Sequence, residues 1–134
     1  MKPKRVFISH SHNDRAFAQS LGATIEGMGI IVDDPKLSFS SGSEWAKAIR
    51  SSLEQADAVV IVVPEAGSTG ANNAFFEAGA AHALGKLVFA VVPEHQTSRL
   101  RELPSDLLSL AVMDASKQPI EAVAKTVLHA LEPA

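Results

Sequence analysis

The stretch Asp57-Ala58-Val59-Val60-Ile61-Val62-Val63-Pro64 decides the fold. Five of its six central residues are β-branched, which favours strand over helix. The run is apolar throughout instead of alternating, so both of its faces must be covered, as in a central strand of a parallel sheet. Pro64 ends it, because proline cannot donate to a ladder.

On either side the chain alternates short strands with helical patterns, the signature of βαβ units. Upstream, residues 5–9 (Arg-Val-Phe-Ile-Ser) read as a first strand and 14–28 as a helix, with Phe17, Leu21, Ile25 and Met28 at helical spacing. Asn13 or Asp14 is its expected N-cap and Gly29 its end, before a short strand at 30–33. A polar loop at 34–43 leads into a second helix capped by Ser43 and carrying Trp45, Ile49 and Leu53. Downstream come a Gly/Ser/Thr loop (65–70), an Ala-rich helix (71–84) closed by Gly85, and a fourth strand (87–92). An irregular stretch (95–108), a fifth strand (110–113) and a last helix (119–131) follow. The expectation is an α/β fold: a doubly wound sheet of about five parallel strands, helices on both faces, one domain over residues 1–134. Ligands of such sheets bind beyond the carboxyl ends of the strands, where the winding reverses.

Composition narrows the function. A net charge of -3 argues against nucleic acid or an anionic membrane as partner, since both require a basic face. The chain has no cysteine, which excludes disulfides, thiolate metal sites and cysteine nucleophiles. Its longest apolar run is far short of the ~20 residues that span a bilayer. With no signal-peptide pattern at its start, a cytoplasmic location is expected. Lys2, Lys4 and Arg5 read as a solubilising lead-in to the first strand.

Three segments could carry chemistry. The loop after the first strand, from Ser9 and His10 to Asp14, is neither a GxGxxG turn nor a Walker A loop. It offers hydroxyls and helix-start amides to a polar ligand. Its histidine spacing fits no metal motif, so no metal is expected. Trp45 either stacks on a base or nicotinamide ring or packs its helix onto the sheet, and composition favours packing. Glu77 has Ala74, Ala78, Ala80 and Ala81 as near and helical-turn neighbours. A carboxylate among small apolar residues is suited to proton transfer or cation stabilisation. Pairing with a nearby cation, or capping a loop, explains it equally well.

Taken in order, these segments resemble a TIR (Toll/interleukin-1 receptor) domain of the bacterial kind. The matching residues are 6–10 (Val-Phe-Ile-Ser-His) with Asp14, then Asp33 and the loop into Gly42-Ser43-Glu44-Trp45 with Ile49. They continue with 58–63, 76–81 (Phe-Glu-Ala-Gly-Ala-Ala) and Gly85-Lys86. The resemblance implies a flavodoxin-like fold whose second-strand loop, Asp33 to Ser43, serves self-association or binding to other TIR domains. It implies NAD as substrate with no separate cofactor, and nucleosidase chemistry (hydrolase or cyclase) giving ADP-ribose or a cyclic ADP-ribose-type product, in bacterial defence or as an effector. Glu77 is the catalytic match, with Ser9, His10, Asp33, Trp45, Ser68 and Asn73 as substrate-binding candidates. The chain departs from many catalytic members at Pro64, where they carry serine, and at Asn72-Asn73-Ala74. Two other expectations stand beside it: a non-enzymatic TIR–TIR interaction module, and a nucleoside deoxyribosyltransferase-like enzyme.

Overall fold

The computed structural model describes residues 4–10, 12–33, 50–63, 79–81, 83–93, 111–115 and 118–131. The expected polar loop at 34–43, the start of the second helix, the loop at 65–70, the helix at 71–78 and the irregular stretch at 95–108 lie outside them.

Five strands form one sheet: β1 (Arg5–Ser9), β2 (Ile31–Asp33), β3 (Ala58–Val62), β4 (Leu87–Val92) and β5 (Ala111–Asp114). All four pairings are parallel and the order is β2-β1-β3-β4-β5. The chain moves from β1 to β2 on one side, then crosses back to β3 on the other, so the winding reverses at β1 and β3. This is the doubly wound α/β sheet that the continuous apolar strand implied. Every residue of β3 is fully buried, and β2, at the edge, is half-buried throughout.

Alternating side chains divide the core in two. One face carries Val6, Ile8, Val60, Val62 and Val91 against α1 (Arg15–Glu26) and α2 (Ile120–Leu131). The other carries Phe7, Val59, Ile61, Val63 and Ala90 against Leu53, Ala56 and Ala81, from the chain around the helical residues 50–55 and 79–81. Helices thus cover both faces. At about 25 cal/mol per Å² of apolar surface, burial of this kind is the main favourable term holding the helices to the sheet.

Several element ends differ from the sequence expectation. A 3₁₀ turn at His12–Asp14 precedes α1, and Asp14 occupies the N-cap with no side-chain capping bond. At the other end α1 stops at Glu26, not Met28. Met28 donates its N–H to Ile25 O and Gly29 to Glu26 O, each at 3.0 Å, so the final turn tightens to i→i−3 bonding before the reversal at Gly29. The fifth strand ends one residue later than expected, because Val92 pairs with Asp114 and Ala115 N–H donates to Val92 O at 2.9 Å. Gly85, at φ 74°, ends the helical stretch before β4 in a Schellman turn, with Lys86 N–H donating to Ala81 O at 3.0 Å. No described helix is long and apolar enough to cross a membrane.

Candidate functional site

The carboxyl edge of the sheet carries Ser9 at the end of β1 with His10 after it, Asp33 at the end of β2, Val63 after β3 and, at the far edge strand, Asp114 at the end of β5. Parallel register sets their heights. Ser9 lies beside Ile61, and Asp33 lies two residues lower, beside Phe7. Alternation puts Ser9 on the same face as Phe7, and the Phe7–Asp33 pair puts Asp33 there too. That face is the one covered by residues 50–55 and 79–81.

Among the described residues the buried polar side chains are Ser9, 1% exposed, and Asp14, 7% exposed. Both belong to the end of β1 and the turn that follows it, where the winding reverses. A strand core otherwise made of Val, Ile and Phe therefore turns polar only at its carboxyl tip. Buried polar groups of this kind need partners, and both have them. The sequence offered Asn13 or Asp14 as the helix N-cap; Asp14 takes that place, buried and without a side-chain capping bond.

Asp33, expected to line a pocket, is engaged at one side. Arg5 Nη1 lies 3.3 Å from Asp33 Oδ2 and 3.5 Å from Oδ1, with the two side chains 39% and 31% exposed. Register explains the contact, since Arg5 pairs with Ile31 and its long side chain reaches two residues along β2 on the same face. A half-exposed pair of this kind contributes about 0–1 kcal/mol. It leaves further lone pairs of the carboxylate open to a donor. Arg5, which reads in the sequence as a lead-in charge, is thus a partner of Asp33. The available signal was the matching polar residue at one end of each neighbouring strand. The amino edge is locked as well: Asp57 N–H donates to Arg5 O, and Arg5 N–H to Asp57 Oδ2, both at 2.8 Å.

Gly79 and Ala80 are half-buried and Ala81 is fully buried against the sheet. Lys86 Nζ donates to Glu54 O at 2.9 Å, which ties the helical stretch ending at Gly85 to the one ending near residue 55. Glu77, Trp45, Ser68 and Asn73 lie outside the described residues. No group of three or more His, Asp or Glu among the described residues could hold a metal ion.

Comparison with known proteins adds three findings. A family model described as TIR domain matches residues 6–127. The chain is similar to the crystal structure of the TIR domain of the Toll-related receptor TRR-2 from Hydra magnipapillata. The TM-score is 0.64 and the identity 16%, over 94% of this chain and 96% of that one, a likeness that shows the fold alone. No curated protein matches the chain.

Proposed function

The chain belongs to the TIR domain family, and on that premise we propose that it is a catalytic member of the bacterial kind, cleaving NAD between nicotinamide and ribose. The observation that carries the proposal is the polar, buried tip of β1 at the reversal of winding, on a face shared by Ser9, Asp33 and residues 79–81. Doubly wound sheets bind ligands there. Glu77 precedes that helical stretch by two residues, and it is the carboxylate to which we assign catalysis.

The chemistry requires little else. Departure of nicotinamide leaves an oxocarbenium-like ribosyl cation, as in glycoside cleavage. Nicotinamide is already cationic in NAD and takes the bonding electron pair with it, so no general acid is needed. One carboxylate stabilises the cation and holds the ribose hydroxyls. Water then adds to the ribosyl carbon and loses a proton, giving ADP-ribose, or a nitrogen of the substrate's own adenine adds and gives a cyclic product. Trp45 is assigned to ring stacking, and Ser9, His10, Asp33, Ser68 and Asn73 to polar contacts. Asp33, fixed from one side by Arg5, has acceptor capacity left for a hydroxyl. The segment from Asp33 to Ser43 is assigned to self-association, so activity should rise with protein concentration more steeply than in proportion.

The test is nicotinamide release from NAD by concentrated protein, for wild type and for Glu77→Ala and Glu77→Gln variants of unchanged thermal midpoint. The expected outcome is loss of at least 100-fold in both variants, in line with removal of a group that stabilises transition-state charge. Equal release by all three removes Glu77 from its role. No release at any concentration leaves an interaction module. Base exchange on deoxynucleosides with NAD intact identifies the transferase chemistry instead.

A further inference from the structure

Arg5 is held from both sides. Towards β3, its carbonyl accepts from Asp57 N–H and its own N–H donates to Asp57 Oδ2, both at 2.8 Å. Towards β2, its Nη1 lies 3.3 Å and 3.5 Å from the two oxygens of Asp33. A backbone clamped in the sheet therefore aims a guanidinium at the last residue of β2. Because Arg5 pairs with Ile31, two residues before Asp33, the guanidinium reaches the carboxylate from the amino side. The lone pairs towards the carboxyl edge are left for another donor, and at 31% exposure the carboxylate is within reach of a ligand. Nε and Nη2 of Arg5 have no partner among the described residues.

A carboxylate at the end of the second strand has a defined use in doubly wound sheets that bind dinucleotides. It accepts from the 2′-hydroxyl of the adenosine ribose, whereas an arginine nearby accommodates a 2′-phosphate. Position in the sheet puts Asp33 at the same end of the ligand. β2 is the edge strand, and β4, into which residues 79–81 lead through the Gly85 turn, is three places away in the order β2-β1-β3-β4. At ~4.8 Å per strand that is about 14 Å, too far for Asp33 to serve the ribose that a group beside residues 79–81 serves. Asp33 is left with the other half of the dinucleotide.

We propose, on the premise that the chain cleaves NAD, that the Arg5–Asp33 pair reads the 2′ position of the adenosine ribose and selects NAD over its 2′-phosphorylated form, NADP. The Asp33 carboxylate accepts from the 2′-hydroxyl, and Arg5 holds it in the orientation that this bond needs. A phosphate at that position places a dianion against the carboxylate, and like charges brought into contact are costly. Arg5 cannot offset this, because the carboxylate stands between its guanidinium and the ligand. Without the carboxylate charge the same guanidinium is released, and its fork of N–H donors is well matched to a phosphate. Selectivity thus lies in which member of the pair meets the ligand.

Nicotinamide release from NAD and from NADP by the same concentrated preparation tests this. The ratio of the two kcat/KM values does not depend on how much of a variant is folded or assembled. Wild type should favour NAD by at least ~10-fold. Asp33→Asn, which keeps the shape and removes the charge, should lower that ratio about tenfold, with NADP cleavage rising in absolute terms. Adding Arg5→Met should abolish the rise for NADP, whereas a merely structural role of Arg5 would lower both substrates alike. Wild type that cleaves both dinucleotides equally, an Asp33→Asn variant with the wild-type ratio, or a double variant that keeps the gain for NADP would each overturn the proposal and leave NAD cleavage standing. Wild type that releases nicotinamide from neither overturns the NAD-cleaving function and the 2′ selectivity together.

Discussion

Replacing Gly22 by alanine should stabilise the protein. Gly22 lies in the interior of α1 and is buried where the helix rests on the sheet. A β-carbon built there meets Ile8 Cδ1 at 3.4 Å and Val32 Cγ1 at 3.5 Å. Those are ordinary van der Waals distances, so the methyl fits without displacing either neighbour. Glycine in a helix interior is about 0.8–1 kcal/mol worse than alanine, chiefly because the unfolded chain loses more freedom on folding. Gly22→Ala should therefore gain about 1 kcal/mol, a rise of roughly 3–5 °C in thermal midpoint for a chain of this size. A longer side chain has no such room. Gly22→Leu must push Ile8 and Val32 aside and should cost about 1–3 kcal/mol. Urea unfolding followed by far-ultraviolet circular dichroism gives both values. A destabilised alanine variant, or a leucine variant as stable as wild type, would refute the spacing of α1 above β1 and β2 on which this rests.

Two further outcomes test other contacts. At Gly85 an added β-carbon meets nothing within 4 Å, so Gly85→Ala should cost only the backbone strain of φ 74°, about 1 kcal/mol by denaturant titration, and Gly85→Asn less. Arg5→Met should lose at most about 1 kcal/mol with the Asp33 pair, and the difference from wild type should shrink at 1 M salt, where exposed charges are screened.

How much was legible in the sequence differs between elements. β4 falls on the same residues in both, and β3 within one residue at each end, because unbroken apolar runs bounded by Asp57 and Pro64, or by Lys86 and Pro93, leave few alternatives. The ends of α1 and the end of β5 were displaced by one or two residues. There the boundary depends on which carbonyl accepts the last N–H, a choice made by the neighbouring strand and not by local composition. The place of Ser9 and His10 at the carboxyl end of a strand could be read from the sequence, whereas the partner of Asp33 could not.

The sequence by itself determined the strands, their parallel arrangement and the edge at which polar residues gather, because apolar period and chain connection dictate these locally. Only the tertiary structure decided that Arg5 spans to Asp33, that Asp14 at the N-cap of α1 is buried and makes no side-chain capping bond, and that a concavity opens beside Phe17 while Leu84 and Leu87 stay in solvent. These depend on register across the sheet and on how two helices distant in sequence pack on it. Residues 28 positions apart meet, or fail to meet, only once the sheet has been assembled.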